Sequence, residues 1–313
     1  MFAYIVRRVL ATIPVMGIVA LVVFSLLYFS PGDPAAVIGG DLATTQDLER
    51  IRAALGLDRP FHERFGTWIL ALLQGDLGTS IFTNLPVTTL IAQRVEPTLS
   101  LMVVTLLLSV SVAVPMGVVA AWLSGTAVDR AVMAFAVVGF SVPVFVIGYV
   151  LAYVFALGLE WLPVQGYTPL SEGFWPWLRN LILPSFALGS IYIALIARIT
   201  RATMLEVLGQ DYVRTARAKG LGQGAVLFLH ALKNAAVPIV TVIGLGVALL
   251  IGGAVVTETV FAIPGIGRLT VDAILWRDYP VIQGIVLMFA FVYVLVNLAV
   301  DLAYTLLDPR IRY

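Results

Sequence analysis

From Ala131 to Leu159 the chain reads AVMAFAVVGFSVPVFVIGYVLAYVFALGL, 29 consecutive residues without a charged side chain. About 20 apolar residues rising 1.5 Å each match a hydrocarbon core of about 30 Å, so this stretch is long enough to cross a bilayer. In lipid its backbone must satisfy its own hydrogen bonds, which makes it a helix. Within it, Ser141-Val142-Pro143 removes one backbone donor, and a kink is expected there.

Five more charge-free stretches flank it: Val9–Phe29, Pro97–Leu123, Leu181–Ala197, Ala235–Thr257 and Pro280–Val300, of 21, 27, 17, 23 and 21 residues. The shortest, Leu181–Ala197, is expected to run on toward Thr200. The reading is an all-α polytopic membrane protein with six transmembrane helices. Composition agrees. Of the 313 residues, 60% are apolar and 12% charged, against roughly 25% charged in soluble domains. The mean hydropathy is +1.00. A soluble enzyme, a disordered scaffold and a collagen-like chain are excluded, and long apolar runs argue against a transmembrane β-barrel.

The first stretch follows Arg7 and Arg8 but reads as an uncleaved anchor, because its apolar run exceeds a signal-peptide core and Ser30-Pro31-Gly32-Asp33-Pro34 is a poor cleavage site. Basic residues set the orientation. With the N-terminus inside, the inner segments hold Arg7, Arg8, Arg130, Arg198, Arg201, Arg214, Arg217, Lys219, Lys233, Arg310 and Arg312. The short outer loops hold only Arg179, Arg268 and Arg277. Both termini are therefore predicted cytoplasmic, with residues 30–96 and 258–279 outside and 198–234 inside. In 30–96, Leu48, Ile51 and Leu55 recur at helical spacing after the candidate caps Thr44 and Thr45. Pro60 is expected to open a second helix carrying Phe61, Phe65, Trp68 and Leu72. Pro264-Gly265-Ile266-Gly267 reads as a turn.

No catalytic constellation is present. The chain has no cysteine and only His62 and His230, so thiolate chemistry and a histidine metal cluster are out of reach. His62-Glu63 lacks the second histidine of a zinc protease. Gly220, Gly222 and Gly224 are not followed by the Lys-Ser/Thr of a phosphate loop. Gly252-Gly253 lies within an apolar stretch and reads as helix packing. A net charge of +1 offers no bulk field for nucleic acid. Ion-coupled transport usually leaves carboxylates within the spans. Here only Asp301 and Glu258 lie near span ends, and both read as interfacial carboxylates paired with basic neighbours. Asn297 in the last span and Ser141 at the expected kink suit either a translocation path or helix packing.

The inner segment carries the most information. Asp211 is a candidate N-cap and Gly220 a candidate left-handed C′ residue. Between them lies a short helix, Tyr212 to Lys219, with small Ala216 at its centre and Arg214 and Arg217 on one side. A second helix, about Gly224 to Asn234, leads into the fifth span. Such a loop fits a solvated basic segment at lipid headgroups, or a helix docking into a partner's groove.

The segment Asp211-Tyr212-Val213-Arg214-Thr215-Ala216-Arg217-Ala218-Lys219-Gly220 with His230-Ala231-Leu232-Lys233-Asn234-Ala235 and Pro238 resembles the EAA loop of ABC-importer permeases, in its peptide-subfamily form. In that form Arg214 stands where the general motif has Glu, and Lys233 where it has Pro. Further matches are Pro31-Gly32-Asp33-Pro34, Leu55-Gly56-Leu57-Asp58-Arg59-Pro60, Gly75-Asp76-Leu77-Gly78, Glu96-Pro97-Thr98 and Leu183-Pro184-Ser185. Others are Phe261-Ala262-Ile263-Pro264-Gly265-Ile266-Gly267-Arg268, Arg277-Asp278-Tyr279-Pro280 and Asp308-Pro309-Arg310-Ile311-Arg312-Tyr313. Together they resemble the first permease of dipeptide, oligopeptide, nickel and glutathione importers.

The resemblance implies a type I ABC importer permease fold in a bacterial or archaeal inner membrane. It implies a module over 1–93, a transport domain over 94–305 and a cytoplasmic tail over 306–313. The implied partners are a homologous second permease, two ABC ATPases that hold ATP and Mg, an extracytoplasmic solute-binding protein and membrane lipid. The chain itself is expected to bind no cofactor or metal and to hydrolyse nothing. Asp211, Tyr212, Arg214, Thr215, Ala216, Arg217, Lys219 and Gly220 would form the ATPase-coupling loop, with Arg214 reaching toward an acidic residue. Glu258, Arg268, Asp272, Arg277 and Asp278 would form the outer docking and gate surface. The rival reading is an ion-coupled secondary transporter, which predicts buried acids and an inverted repeat.

Overall fold

The computed structural model describes the backbone of residues 2–29, 34–39, 43–54 and 57–307. In chain order its α-helices are α1 (Phe2–Phe29), α2 (Pro34–Gly39), α3 (Thr45–Ala54), α4 (Phe61–Leu73), α5 (Val87–Trp122), α6 (Ala127–Ser141), α7 (Val144–Leu151), α8 (Phe174–Leu208), α9 (Asp211–Ala218), α10 (Lys233–Val260), α11 (Ile266–Trp276) and α12 (Tyr279–Leu307). Wide π turns extend α7 over Ala152–Gly158 and precede α10 over Ala225–Leu232. Among the described residues the strand-like pairing is one isolated bridge, Thr79 with Pro86.

Four helices are long and apolar enough to cross a membrane: α5, α8, the continuous rod Ala225–Val260, and α12. α6 and the α7 segment form a fifth span bent by 105°. α1 covers the first stretch with 28 residues. The expected kink at Ser141-Val142-Pro143 is in fact a full break. Val142 leaves the helical region for φ −89°, ψ 127°, and Pro143 starts α7 from its N-cap. The residue before a proline is pushed toward extended backbone, and β-branched Val142 accepts that readily. α5 runs through Pro97 and Pro115, α8 through Pro184, and α10 through Pro238. Packed neighbours make such prolines tolerable within spans.

The chain forms two compact units. One comprises residues 1–95 and 269–294, the other 96–268 and 295–313. In the first, Phe24 of α1 meets Phe61, Phe65 and Trp68 of α4 at 5.2–5.4 Å between ring centres. The guanidinium of Arg64 lies over the same ring at 5.8 Å. α4 thus starts at Pro60's successor as expected. α3 covers the helix predicted from Leu48 and Ile51; Leu55 and Gly56 lie outside the described residues, as do Pro31-Gly32-Asp33 and the closing 308–313.

In the second unit α8 is the central helix, packed against α6, α7 and α10. Small residues permit the close approaches that hold helices together in lipid. A Cβ on Gly117 would come 2.6 Å from Thr200, and one on Gly189 would come 2.9 Å from Ser109 Oγ. Leu101, Leu188, Ile196 and Leu250 fill the shared core. At one end of this unit Val118, Met204, Leu227, Ala231 and Ile239 make a separate cluster that joins α5, α8, the π turn and α10.

Candidate functional site

Two places in the second unit, and one in the first, gather the polar residues singled out above. The first is α9. Its N-cap is Gln210 in extended backbone, without a side-chain cap bond. Asp211 is therefore the first helical residue and not the cap; it places a negative charge in the first turn, where the helix dipole favours it. Arg214 lies 3.2 Å from Asp211 in an exposed pair of little energetic weight. Thr215 Oγ1 donates to the Asp211 carbonyl at 3.0 Å.

The helix stops as the sequence requires. Gly220 has φ +80°, its N–H donates to the Arg217 carbonyl at 2.9 Å, and Leu221 N–H donates to the Ala216 carbonyl at 3.3 Å. This pair of bonds is the Schellman arrangement, with Gly220 at C′. A Cβ on Gly220 would meet nothing within 4 Å, so the demand for glycine comes from the backbone angle alone.

Ala216 lies on the inward side of the helix. It is only 7% exposed, and Val213, three residues earlier on the same side, is fully buried. α9 lays this side on the π turn Ala225–Leu232, where Val226, Leu227 and Ala231 are also buried. The small side chain lets α9 approach the turn of its own chain. The face left open carries Tyr212 (43% exposed), Arg214, Thr215, Arg217 and Lys219.

The second place is the corner between α10 and α11. Glu258, expected at an exposed rim, is fully buried. Its Oε1 accepts from Thr98 Oγ1 at 2.6 Å, and its Oε2 accepts from the Arg268 N–H at 3.0 Å. Thr98 Oγ1 in turn accepts from the Ile266 N–H at 2.8 Å. A burial this complete is tolerable for a carboxylate only with such donors. Gly265 and Gly267 are required by contact: a Cβ on Gly265 would collide with the Glu258 carboxylate, and one on Gly267 would come 2.5 Å from Val255 Cα. Beside this corner, Tyr167 donates to Glu96 at 3.1 Å and pairs with Ser100 at 3.0 Å, and Trp177 Nε1 donates to Ser100 at 3.0 Å. Burial pushes the Tyr167 phenol above its ordinary pKa.

In the first unit Asp278 is likewise buried, at 3% exposure. It accepts from Ser80 Oγ at 2.5 Å and from the Ile81 N–H at 3.3 Å. Glu258 and Asp278 are therefore internal fasteners, each in its own unit, and not the exposed charges expected of them. Arg268 and Asp272 are half-buried, and Arg277 is exposed with φ +55°.

Ser141 is exposed at the end of α6, its hydroxyl donating to the Val137 carbonyl at 2.8 Å. Asn297 is half-buried in α12. The side chain of Asp301 lies outside the described residues.

One site was missed. Asp129, 4% exposed, is held by Arg201 and also accepts from the Gly125 N–H at 2.9 Å. The sequence signal was Asp129 at the entrance of a span in a chain with few acids, but counting basic residues alone passes over it.

The chain matches the family described as binding-protein-dependent transport system inner membrane component over residues 113–313, and the family of its N-terminal region over residues 1–113. It is 58% identical to a protein of Sinorhizobium fredii named "probable peptide ABC transporter permease", with both chains covered in full. It is 42% identical to a dipeptide transport system permease of Alkalihalophilus pseudofirmus and 42% identical to a glutathione transport system permease of Salmonella choleraesuis, again over all of each chain. Among solved structures, inward-facing forms of a methionine ABC transporter superpose with a TM-score of 0.59 at 16% identity, covering 71% of this chain and 97% of that one. That likeness shows the fold, the type I ABC importer permease fold.

Proposed function

The chain belongs to the family of binding-protein-dependent transport system inner membrane components, the multi-pass permease subunits of ABC importers, and from that premise we propose what it carries and how it is coupled. The cargo is a peptide or a related small solute, the class named for its full-length relatives. The chain forms half of a translocation pore with a homologous second permease. Two ATPase subunits bind ATP and Mg beneath it, and a solute-binding protein delivers cargo from the outer side. The N-terminus and C-terminus both face the cytoplasm. Residues 1–93 act as an added outer module, and 94–305 carry transport.

The single observation that carries this reading is α9. An eight-residue helix stopped on Gly220, seated by Val213 and Ala216 and offering Tyr212, Arg214, Arg217 and Lys219 outward, has the form of a docking element. ATP draws the ATPases together, their approach moves α9, and α9 moves the helices it rests on. Ser141 at the break and Asn297 in α12 line the path. Arg268, Asp272 and Arg277 meet the binding protein.

An ion-coupled transporter working alone has no support in a family of ATP-driven importers. The test is reconstitution. The permease pair with its ATPases should take up di- or oligopeptides only with ATP and loaded binding protein. Uptake by this chain alone on an ion gradient would overturn the proposal.

A further inference from the structure

The corner that buries Glu258 is built more firmly than a loop between two spans requires. Thr98 on α5 fastens it through two hydrogen bonds, one to the carboxylate and one from Ile266 N–H. The loop that follows the α7 segment fastens it again, because Gly166 N–H donates to the Phe261 carbonyl at 2.9 Å. α7 closes the third side, where a Cβ on Gly148 would stand 3.2 Å from the Phe261 ring. Ala262 is held at φ +51°, a conformation an L-residue adopts only when its surroundings impose it. Ile263 N–H donates back to the Glu258 carbonyl at 2.9 Å, so the same residue anchors the turn by main chain and side chain.

Glu258 also lies two residues before the end of the rod Ala225–Val260. At 1.5 Å per residue, 36 residues make a helix of about 54 Å, longer than the hydrocarbon core. The other end of that rod is the π turn on which Val213 and Ala216 of α9 are seated. The base is consolidated by Met204 of α8 and Val118 of α5, packed with Leu227 and Ala231. One continuous helical rod, a π turn that passes into α10, thus runs from the seat of α9 to the residue that grips the N-terminus of α11.

We propose that Glu258 is a positioning residue for coupling: its carboxylate locks the start of α11 to the rod on which the ATPase-docking helix rests, so that load on the outer segment is carried to the inner face. A carboxylate serves here because it accepts from Thr98 and from Arg268 N–H at the same time, on two oxygens, with no rotatable hydrogen to misplace. The break at Pro143 separates α6 from α7, and only α7 touches the corner, so the rod Ala225–Val260 is the member that joins the corner to the seat of α9. The inference rests on the reading that α9 meets the ATPases and that the outer segment meets the binding protein.

The test uses the assembled importer in nanodiscs. ATPase activity is measured with and without loaded binding protein for the wild type, Glu258→Ala, Glu258→Gln and Thr98→Val. The stimulation factor should fall to about one, the value for uncoupled sites, in Glu258→Ala. Glu258→Gln keeps one acceptor oxygen and should recover part of it, and Thr98→Val should lie between. In the cysteine-free background, spin labels at Gln223→Cys and Pro264→Cys report the distance between the two ends. That distribution should be narrow in the wild type and broad in Glu258→Ala. If the wild type is not stimulated at all, the underlying reading of the partners fails. If the wild type is stimulated and the assembled Glu258→Ala complex is stimulated equally with an unchanged distribution, the inference alone fails. Should Glu258→Ala not assemble, full stimulation in Thr98→Val and Glu258→Gln overturns it in the same way.

Discussion

Arg201 on α8 grips Asp129 on α6 with two parallel contacts, Nη2 lying 2.7 Å from Oδ2 while Nε engages Oδ1. This bidentate geometry is the strong form of a carboxylate–guanidinium pair. Asp129 also accepts from the N–H of Gly125, which has φ +82° in the turn between α5 and α6. One carboxylate therefore fixes a turn and ties two spans together. Asp129→Ala should lower the melting temperature of the detergent-solubilised permease, with Asp129→Asn intermediate. Exchanging the two residues, Asp129→Arg with Arg201→Asp, should recover part of the loss. An unchanged melting temperature in Asp129→Ala would show that the pair does not hold the spans.

Five of the six expected spans, α5, the bent α6–α7 pair, α8, the rod Ala225–Val260 and α12, were legible because lipid forbids charge, and uninterrupted apolar runs are the direct trace of that rule. What escaped were matters of facing. On α9, Val213 and Ala216 already mark an apolar side three residues apart, but an eight-residue helix does not say whether that side meets its own chain or a partner. Glu258 and Asp278 sit at span ends, where a charge normally reaches water. Their burial depends on donors remote in sequence, Thr98 and Ser80. The glycines of Gly265-Ile266-Gly267 were the available clue, since a turn with two such residues leaves room for a side chain to close on it. The break at Pro143 was legible as a missing hydrogen bond. Its angle of 105° was not, because the neighbours on which Gly139 and Gly148 pack, Ser190 and Phe261, are remote in sequence.

Orientation can be read by labelling. With no native cysteine, Arg217→Cys and Thr67→Cys each report one position, and both parent residues are exposed. An impermeant maleimide added to intact cells with a permeabilised outer envelope should label Thr67→Cys and leave Arg217→Cys untouched. The reverse pattern would invert the topology.

Removing Glu258 and Asp278 from the docking face leaves Arg268, Asp272 and Arg277. Rim charges act mainly on the rate of encounter and are screened by salt. Charge reversal at Asp272 and Arg277 should therefore raise the concentration of loaded binding protein needed for half-maximal ATPase stimulation, and added salt should narrow the difference from wild type. A shift that is the same at low and high salt would show that these charges do not steer docking.

The two faces of α9 predict two different failures. On the seated face, Ala216→Glu forces a carboxylate into the buried side of α9 that packs on the turn Ala225–Leu232, a burial that costs several kcal/mol on the general scale for unpaired charges. Gly220→Val places a β-branched residue at φ +80°, at a cost of about 1–2 kcal/mol. Both variants should insert into the membrane, lose transport and become more sensitive to proteolysis between Gly209 and Leu221, because α9 leaves its seat. On the open face, Arg217→Glu with Lys219→Glu alters only exposed charge. That variant should keep its resistance to proteolysis while ATPase subunits no longer co-purify with it. Retained co-purification and transport in the open-face variant would make α9 an ordinary basic loop and remove the coupling role assigned to it.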